Sequence, residues 1–166
     1  LTFAGAIGGL AVEASVYMHD YGVTERDAAR VVVRDRKNAC NNPYAHLRKE
    51  VTIEEVLNSP MLCDPVKLLD MCPRSDGACA VIFASEDVAE KITNTPVWIW
   101  GTANRHMYSY INDVNFRGLQ SLKNASKELY QKCGIKEPLK EIDVIELYQP
   151  YSFGGLLWLE SMGLCK

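Results

Sequence analysis

No apolar run in the 166-residue chain approaches the roughly 18 residues that a membrane-spanning helix needs, so no span is expected. An excess of basic charge is also lacking. The 18 Lys and Arg stand against 21 Asp and Glu, a formal net charge of −3, which offers no field for nucleic acid or an anionic bilayer. Any anionic ligand would have to be held by local groups. The six cysteines (Cys40, Cys63, Cys72, Cys79, Cys133 and Cys165) form no C-x-x-C, and the three histidines show no paired spacing, so no metal site is expected. A disulfide framework is not expected in a chain of this size, so the cysteines read as reduced and the protein as cytoplasmic. Gly5-Ala6-Ile7-Gly8-Gly9 departs from G-x-G-x-x-G and follows no clear strand, which argues against a nucleotide loop. An initial Met is missing too. Leu1 to Leu10 is small and apolar without the basic start of a signal peptide, and Lys166 comes directly after a helix stop. The chain therefore reads as a piece of a longer open reading frame. Internal repeats and low-complexity segments are absent.

What is present suits a globular α/β domain: 48% hydrophobic and 23% charged residues. A helix is expected from about Gly9 to His19, ending near Gly22. Thr24-Glu25-Arg26-Asp27 is a capping box with Asp in the Glu position, opening a helix to about Lys37, and Thr52-Ile53-Glu54-Glu55 is a second. Between them, Asn38 to Lys49 is a polar loop around Asn42-Pro43 that holds Tyr44, His46 and Arg48. These residues either meet a ligand's phosphates or adenine or belong to a solvated loop. A short helix is expected at about Pro65 to Leu69. Ser75-Asp76-Gly77 is turn chemistry before Ala78 to Ala84, a continuous apolar run that predicts a buried strand. Ser85 opens a helix through Ile92, and Val97 to Trp100 predicts the next strand. An irregular loop with His106 then leads to a long helix, from about Asp113 to Cys133. Its inner face is Phe116, Leu119, Leu122, Ser126, Leu129 and Cys133, and Gly134 ends it.

The stretch from Glu141 to Lys166 organises the rest. Ile142 to Leu147 predicts a short buried strand that breaks at Gln149-Pro150, because Pro150 has no N–H for a ladder. Ser152 is placed to cap a helix in which Phe153, Leu156, Leu157 and Glu160 share a face, with Gly163 as its stop. Tyr148 thus leaves the C-terminal end of a strand, where open α/β sheets bind ligands. Its phenol serves there either as a hydrogen-bond or proton donor or as filling at the rim of the core. Spacing alone favours the second role.

The segment V-I-E-L-Y-Q-P-Y-S-F-G-G-L-L-W-L-E-S-M-G-L-C resembles the thiolase-superfamily motif V-x-E-x-(N-E-A-F or H-D-C-F) followed by a helix. It is most similar to the lipid-transfer-protein and sterol-carrier branch, which reads E-L-Y-D-P-[FY]-S-[FY]. The blocks M-H-D-Y-G-V-T-E-R-D-A-A-R-V-V-V-R-D-R-K-N-A-C-N-N-P-Y-A, T-I-E-E-V-L-N-S-P-M-L and S-D-G-A-C-A-V-I-F-A resemble family landmarks in family order. The resemblance implies part of a layered αβαβα fold. Residues 1–96 would close the N-terminal half, including a helical loop domain, and residues 97–166 would open the C-terminal half.

The resemblance also implies a thiolase-like acyl-CoA acyltransferase as the full-length protein, making or cleaving a carbon–carbon bond next to a coenzyme A thioester. No cofactor is implied beyond the coenzyme A of the acyl-CoA substrate. The family's acyl-accepting and proton-moving cysteines would fall before residue 1 and beyond residue 166, so the piece alone is expected to be inactive. Cys40 and Cys79 match neither motif, and Cys79 and Cys133 read as core. Tyr148 stands where the family has Asn or His, and Gln149 where it has an acid. The family residue at 148 helps stabilise an enolate or thioester oxyanion, which makes Tyr148 the catalytic candidate. A phenol with a reference pKa near ~10 is a donor and a poor base, which favours aldolase-type relatives that cleave steroid acyl-CoA side chains over Claisen chemistry. A non-catalytic acyl-CoA or lipid carrier on the same fold is the remaining alternative. Ser75 and Gly77 would run near the coenzyme A, joining Tyr44, His46 and Arg48 as substrate-binding candidates. A homodimer or tetramer and a small zinc- and OB-fold-containing partner are the implied assemblies.

Overall fold

The computed structural model describes residues 5–106 and 115–165. Residues 1–4, the end of the His106 loop at 107–110 and the expected helix start at Asp113 lie outside the described residues. Helix α1 is Gly5–Tyr21, α2 Glu25–Cys40 and α3 Ile53–Leu57. Strands β1 (Met61–Cys63) and β2 (Val66–Lys67) then pair antiparallel, Met61 opposite Lys67 and Cys63 opposite Val66. A 3-10 turn at Leu68–Asp70 follows, then α4 (Glu86–Ile92), α5 (Gln120–Cys133), α6 (Pro138–Glu141) and α7 (Ser152–Ser161). Among the described residues the architecture is helical with one small sheet.

Local chemistry explains most boundaries. The Thr24 hydroxyl accepts the Asp27 N–H at 3.3 Å while the Asp27 carboxylate accepts the Thr24 N–H at 3.0 Å, closing the expected box at the start of α2. Thr52 and Glu55 do the same for α3. Helix α7 ends as expected: Gly163 takes φ 71°, and the Leu164 N–H reaches back to the Leu159 carbonyl at 2.9 Å. Gly134 ends α5 the same way, with Ile135 N–H on the Tyr130 carbonyl at 2.9 Å.

The main core joins Ala11, Ala14 and Tyr17 of α1, Ala28 of α2, Val66 of β2, and Tyr151, Phe153 and Leu157 at α7. Alanines at the helix contacts let the backbones approach, and the larger α7 side chains fill the space between. A satellite cluster of Ala29, Val32 and Val56 seats α3 on α2. Phenols tie the helices together. Tyr17 donates to Glu160 Oε1 at 2.5 Å, linking α1 to α7, and Tyr130 donates to the Met162 carbonyl at 2.8 Å, linking α5 to the end of α7. Burial and the adjacent Glu160 carboxylate push the Tyr17 phenol well above its ordinary range.

Several expectations are corrected. Pro65 to Leu69 is the second strand of a hairpin and a 3-10 turn, not a helix. The fifth helix begins at Gln120, so Phe116 and Leu119 precede it, although both stay half-buried in line with its inner face. Tyr151, not Ser152, is the N-cap residue of α7, because the Ser152 hydroxyl is engaged by Asp70. The three expected buried strands are not formed. Residues 78–84, 97–100 and 143–147 make no backbone–backbone hydrogen bond among the described residues, and Ile82 and Trp100 are 90% and 80% exposed. An apolar, β-branched run expresses a preference for burial, but a strand forms only where a neighbour supplies the other half of its ladder.

Gly154 and Gly155 sit inside α7, where Ala would ordinarily stabilise by about 1 kcal/mol. A Cβ on Gly154 would instead lie 2.7 Å from the Tyr151 ring, in a site with no room to move. Gly154→Ala should therefore destabilise by about 1–3 kcal/mol in a denaturant titration. Gly9→Ala in α1, whose Cβ meets nothing within 4 Å, should be neutral or stabilising in the same assay.

Candidate functional site

The turn before α7 is bound on every side. Gln149 Nε2 donates to Asp35 Oδ2 of α2 at 2.8 Å. The Pro150 carbonyl accepts the Cys72 N–H at 2.9 Å. The Tyr151 hydroxyl donates to Glu13 Oε2 of α1 at 2.6 Å, and Ser152 Oγ donates to Asp70 Oδ1 at 2.7 Å. Asp70 also accepts the Lys67 N–H at 2.9 Å, and the Lys67 ammonium pairs with Glu25. The adjacent glycine makes the turn possible, since a Cβ on Gly155 would lie 2.6 Å from the Gln149 amide.

Tyr148, one residue before this anchored turn, is 74% exposed. Its ring stacks on Trp158 of α7, centroids 5.7 Å apart and planes 28° from parallel. The stacked pair is a wall shared by two clefts. One, of about 390 Å³, is completed by Leu119, Leu122, Leu147 and Met162. The other, of about 500 Å³, runs along Ala6, Leu10 and Glu13 of α1, Met71, Cys72 and Phe116. Both are mainly apolar and of a size that holds a small-molecule ligand.

A third cavity, of about 260 Å³, opens on the other side of the turn, between Asp35 and Arg36 of α2, His46, Cys72 and Gln149. His46 Nδ1 lies 2.7 Å from the Ser75 hydroxyl, so two of the substrate-binding candidates meet at its mouth. Tyr44, Arg48 and Gly77 are exposed and line none of the three cavities. The amide at Gln149 also acquires a reason. An acid there would put a second carboxylate beside Asp35, whereas the amide donates to it.

The cysteine expectations change as well. Cys79 is exposed, because its run forms no sheet, and Cys133 is half-buried; all six are free thiols. Sequence reading missed Glu13. Its signal was an acid in the middle of a stretch, Gly5 to Met18, that otherwise carries no charge. It is 8% exposed, and burial raises its carboxyl above the usual range while the Tyr151 hydrogen bond works the other way. Tyr151 is buried, and desolvation together with Glu13 pushes its phenol far up.

Comparison with known proteins places this arrangement. No family profile matches the chain. The benzoylsuccinyl-CoA thiolase subunit BbsB of Thauera aromatica is 32% identical over 99% of the chain and 43% of its own length. An acetyl-CoA acetyltransferase of Methanothermobacter thermautotrophicus is 34% identical over 94% of the chain and 40% of its own. The solved structure of an Ltp2-ChsH2(DUF35) aldolase superposes with a TM-score of 0.80 at 29% identity, covering 96% of this chain and 43% of that one. The chain thus spans less than half the length of these relatives. Over nearly its whole length it is similar to thiolases. Sterol carrier protein 2 of Bos taurus is also among its homologues, 32% identical over 90% of the chain and 28% of its own length.

A carboxyl with a raised folded pKa holds its proton more tightly in the native state. The stability it contributes is complete below the unfolded value near about 4.3 and is lost as pH rises through the folded value. Glu13→Gln should flatten that decline. The measurement is denaturant stability of wild type and variant from about pH 4 to about pH 8, and equal slopes would show that Glu13 does not titrate in this window.

Proposed function

We propose that the chain is part of a thiolase-like acyl-CoA enzyme that makes or cleaves a carbon–carbon bond next to the coenzyme A thioester. The observation that carries this reading is the placement of Tyr148. Its phenol stands on the wall of an apolar cleft, on a turn held rigid by its neighbours, and it is too exposed to serve the core. A fixed donor at that point stabilises an oxyanion as charge develops, because it needs no reorganisation. Cleavage of the aldolase type fits a phenol better than Claisen condensation does, since the phenol donates and does not readily abstract a proton. The likeness to the aldolase structure supports the same choice. A non-catalytic carrier would keep the cleft and have no use for the hydroxyl.

The cavity beside Gln149, with His46 and Ser75 at its mouth, is the proposed contact for the polar part of the thioester; Gly77, Tyr44 and Arg48, which line none of it, are proposed to meet the same substrate from exposed positions outside it. The exposed apolar runs at 78–84, 97–100 and 143–147 are proposed to enter the layered sheets of the longer protein, residues 1–96 in one half and 97–166 in the other. Assembly as a dimer or tetramer, with a small zinc- and OB-fold-containing partner, belongs to the same reading, as does residence in the cytoplasm. No described helix is long and apolar enough to cross a membrane.

Tyr148→Phe in the full-length protein should lower kcat by on the order of 10²–10³ and leave its melting behaviour unchanged, because one exposed hydroxyl is removed. Tyr151→Phe should do the reverse, losing stability while the folded fraction turns over. Full turnover in Tyr148→Phe on the enzyme's own acyl-CoA substrate would make residue 148 structural and favour the carrier.

A further inference from the structure

We propose that Glu13 makes the Tyr148 cleft selective for acyl groups that carry a hydroxyl, by accepting a hydrogen bond from that hydroxyl. The inference rests on the reading of the cleft as the acyl-binding site. Ala6, Leu10, Met71, Phe116, Leu119 and Trp158 give the cleft an apolar lining, into which Glu13 brings a carboxyl from α1. That side chain is more than nine-tenths buried. Its Oε2 is taken by the Tyr151 hydroxyl, and among the described residues no donor reaches Oε1. A hydrocarbon chain filling this cleft would strip water from Oε1 and return nothing, which disfavours plain acyl groups. An acyl group with a hydroxyl at the right carbon supplies the missing donor. A cationic group would supply one too, but would have to leave water for an apolar cleft, at a much larger desolvation cost.

Two features make the acceptor fixed in place. Glu13 is held by Tyr151, which is itself buried and bridged to Met71, so the carboxyl does not have to be ordered on binding. Tyr148 occupies the same cleft, so a bound acyl group would meet a phenol at one point of the wall and a carboxyl at another. Discrimination of this kind is asymmetric, since the analogue without the hydroxyl leaves a buried acceptor unpaired.

The test is calorimetric titration of the full-length protein with decanoyl-CoA, 3-hydroxydecanoyl-CoA and 10-hydroxydecanoyl-CoA. At least one hydroxylated thioester should bind tighter than decanoyl-CoA by about 10- to 100-fold, the range that leaving a buried acceptor unpaired costs. Glu13→Leu should abolish that preference and bind decanoyl-CoA as tightly as wild type or more so. Glu13→Gln keeps an acceptor oxygen and should retain a reduced preference, which decides the matter should Glu13→Leu fail to fold. Tyr151→Phe, which spares Oε1, should keep the preference. Equal affinity of wild type for all three thioesters would overturn the inference and leave the acyl-CoA reading standing, as would a preference that survives in both Glu13 variants. Absence of binding by any thioester would overturn both.

Discussion

Hydrogen bonds from four consecutive residues, Gln149 to Ser152, hold together elements that the chain keeps far apart. Each residue reaches a different place: α2, the segment at Cys72, α1, and the turn at Asp70. Closing such long loops is entropically costly, though the cost grows only slowly with length, and one short stretch closes them all. The bonds at Tyr151 and Ser152 are buried, so they exchange water for fixed partners and are expensive to break singly. The apolar packing of Phe153 and Leu157 depends on the same turn, because it sets the direction in which α7 departs.

The apolar runs that stand outside this anchored body follow a different logic. Ile82, Phe83, Val97 and Trp100 form an exposed surface beside α4, left uncovered among the described residues. Bare strand edges and apolar patches of this kind are what natural sheets cover or pair. On the proposed reading they meet the rest of a layered sheet. The anchored turn, α1, α2, the hairpin and α7 are tied to one another by their own hydrogen bonds and packing, so the site geometry and the sheet geometry rest on different interactions.

Elements defined by local chemistry were legible in the sequence. Thr24 with Asp27, Thr52 with Glu55, Gly134 and Gly163 each state a boundary within a few residues of themselves, and each stands where it was expected. The hairpin at Met61–Lys67 was not, because strands of three and two residues carry no periodicity and Val66 to Leu69 looks equally like a helical turn. Ser152 has the right chemistry for a cap, yet Asp70, eighty-two residues away, competes for its hydroxyl. The family resemblance pointed to Tyr148 and spacing did not. Glu13 was visible only as an acid out of place, and its meaning came from Tyr151, a partner no local window contains.

Tyr148 contributes little to holding its own position. It touches Trp158, and its neighbours on the C-terminal side carry the bonds that place it. The residue at 148 is thus decoupled from folding, so the chemical group presented to the cleft is open to exchange while the scaffold stays intact. A motif that holds Asn or His in some members of a superfamily and Tyr here is what such decoupling permits. On the proposed reading, the position is a socket whose fitting can be exchanged for another reactivity, because stability is decided one residue further along the chain.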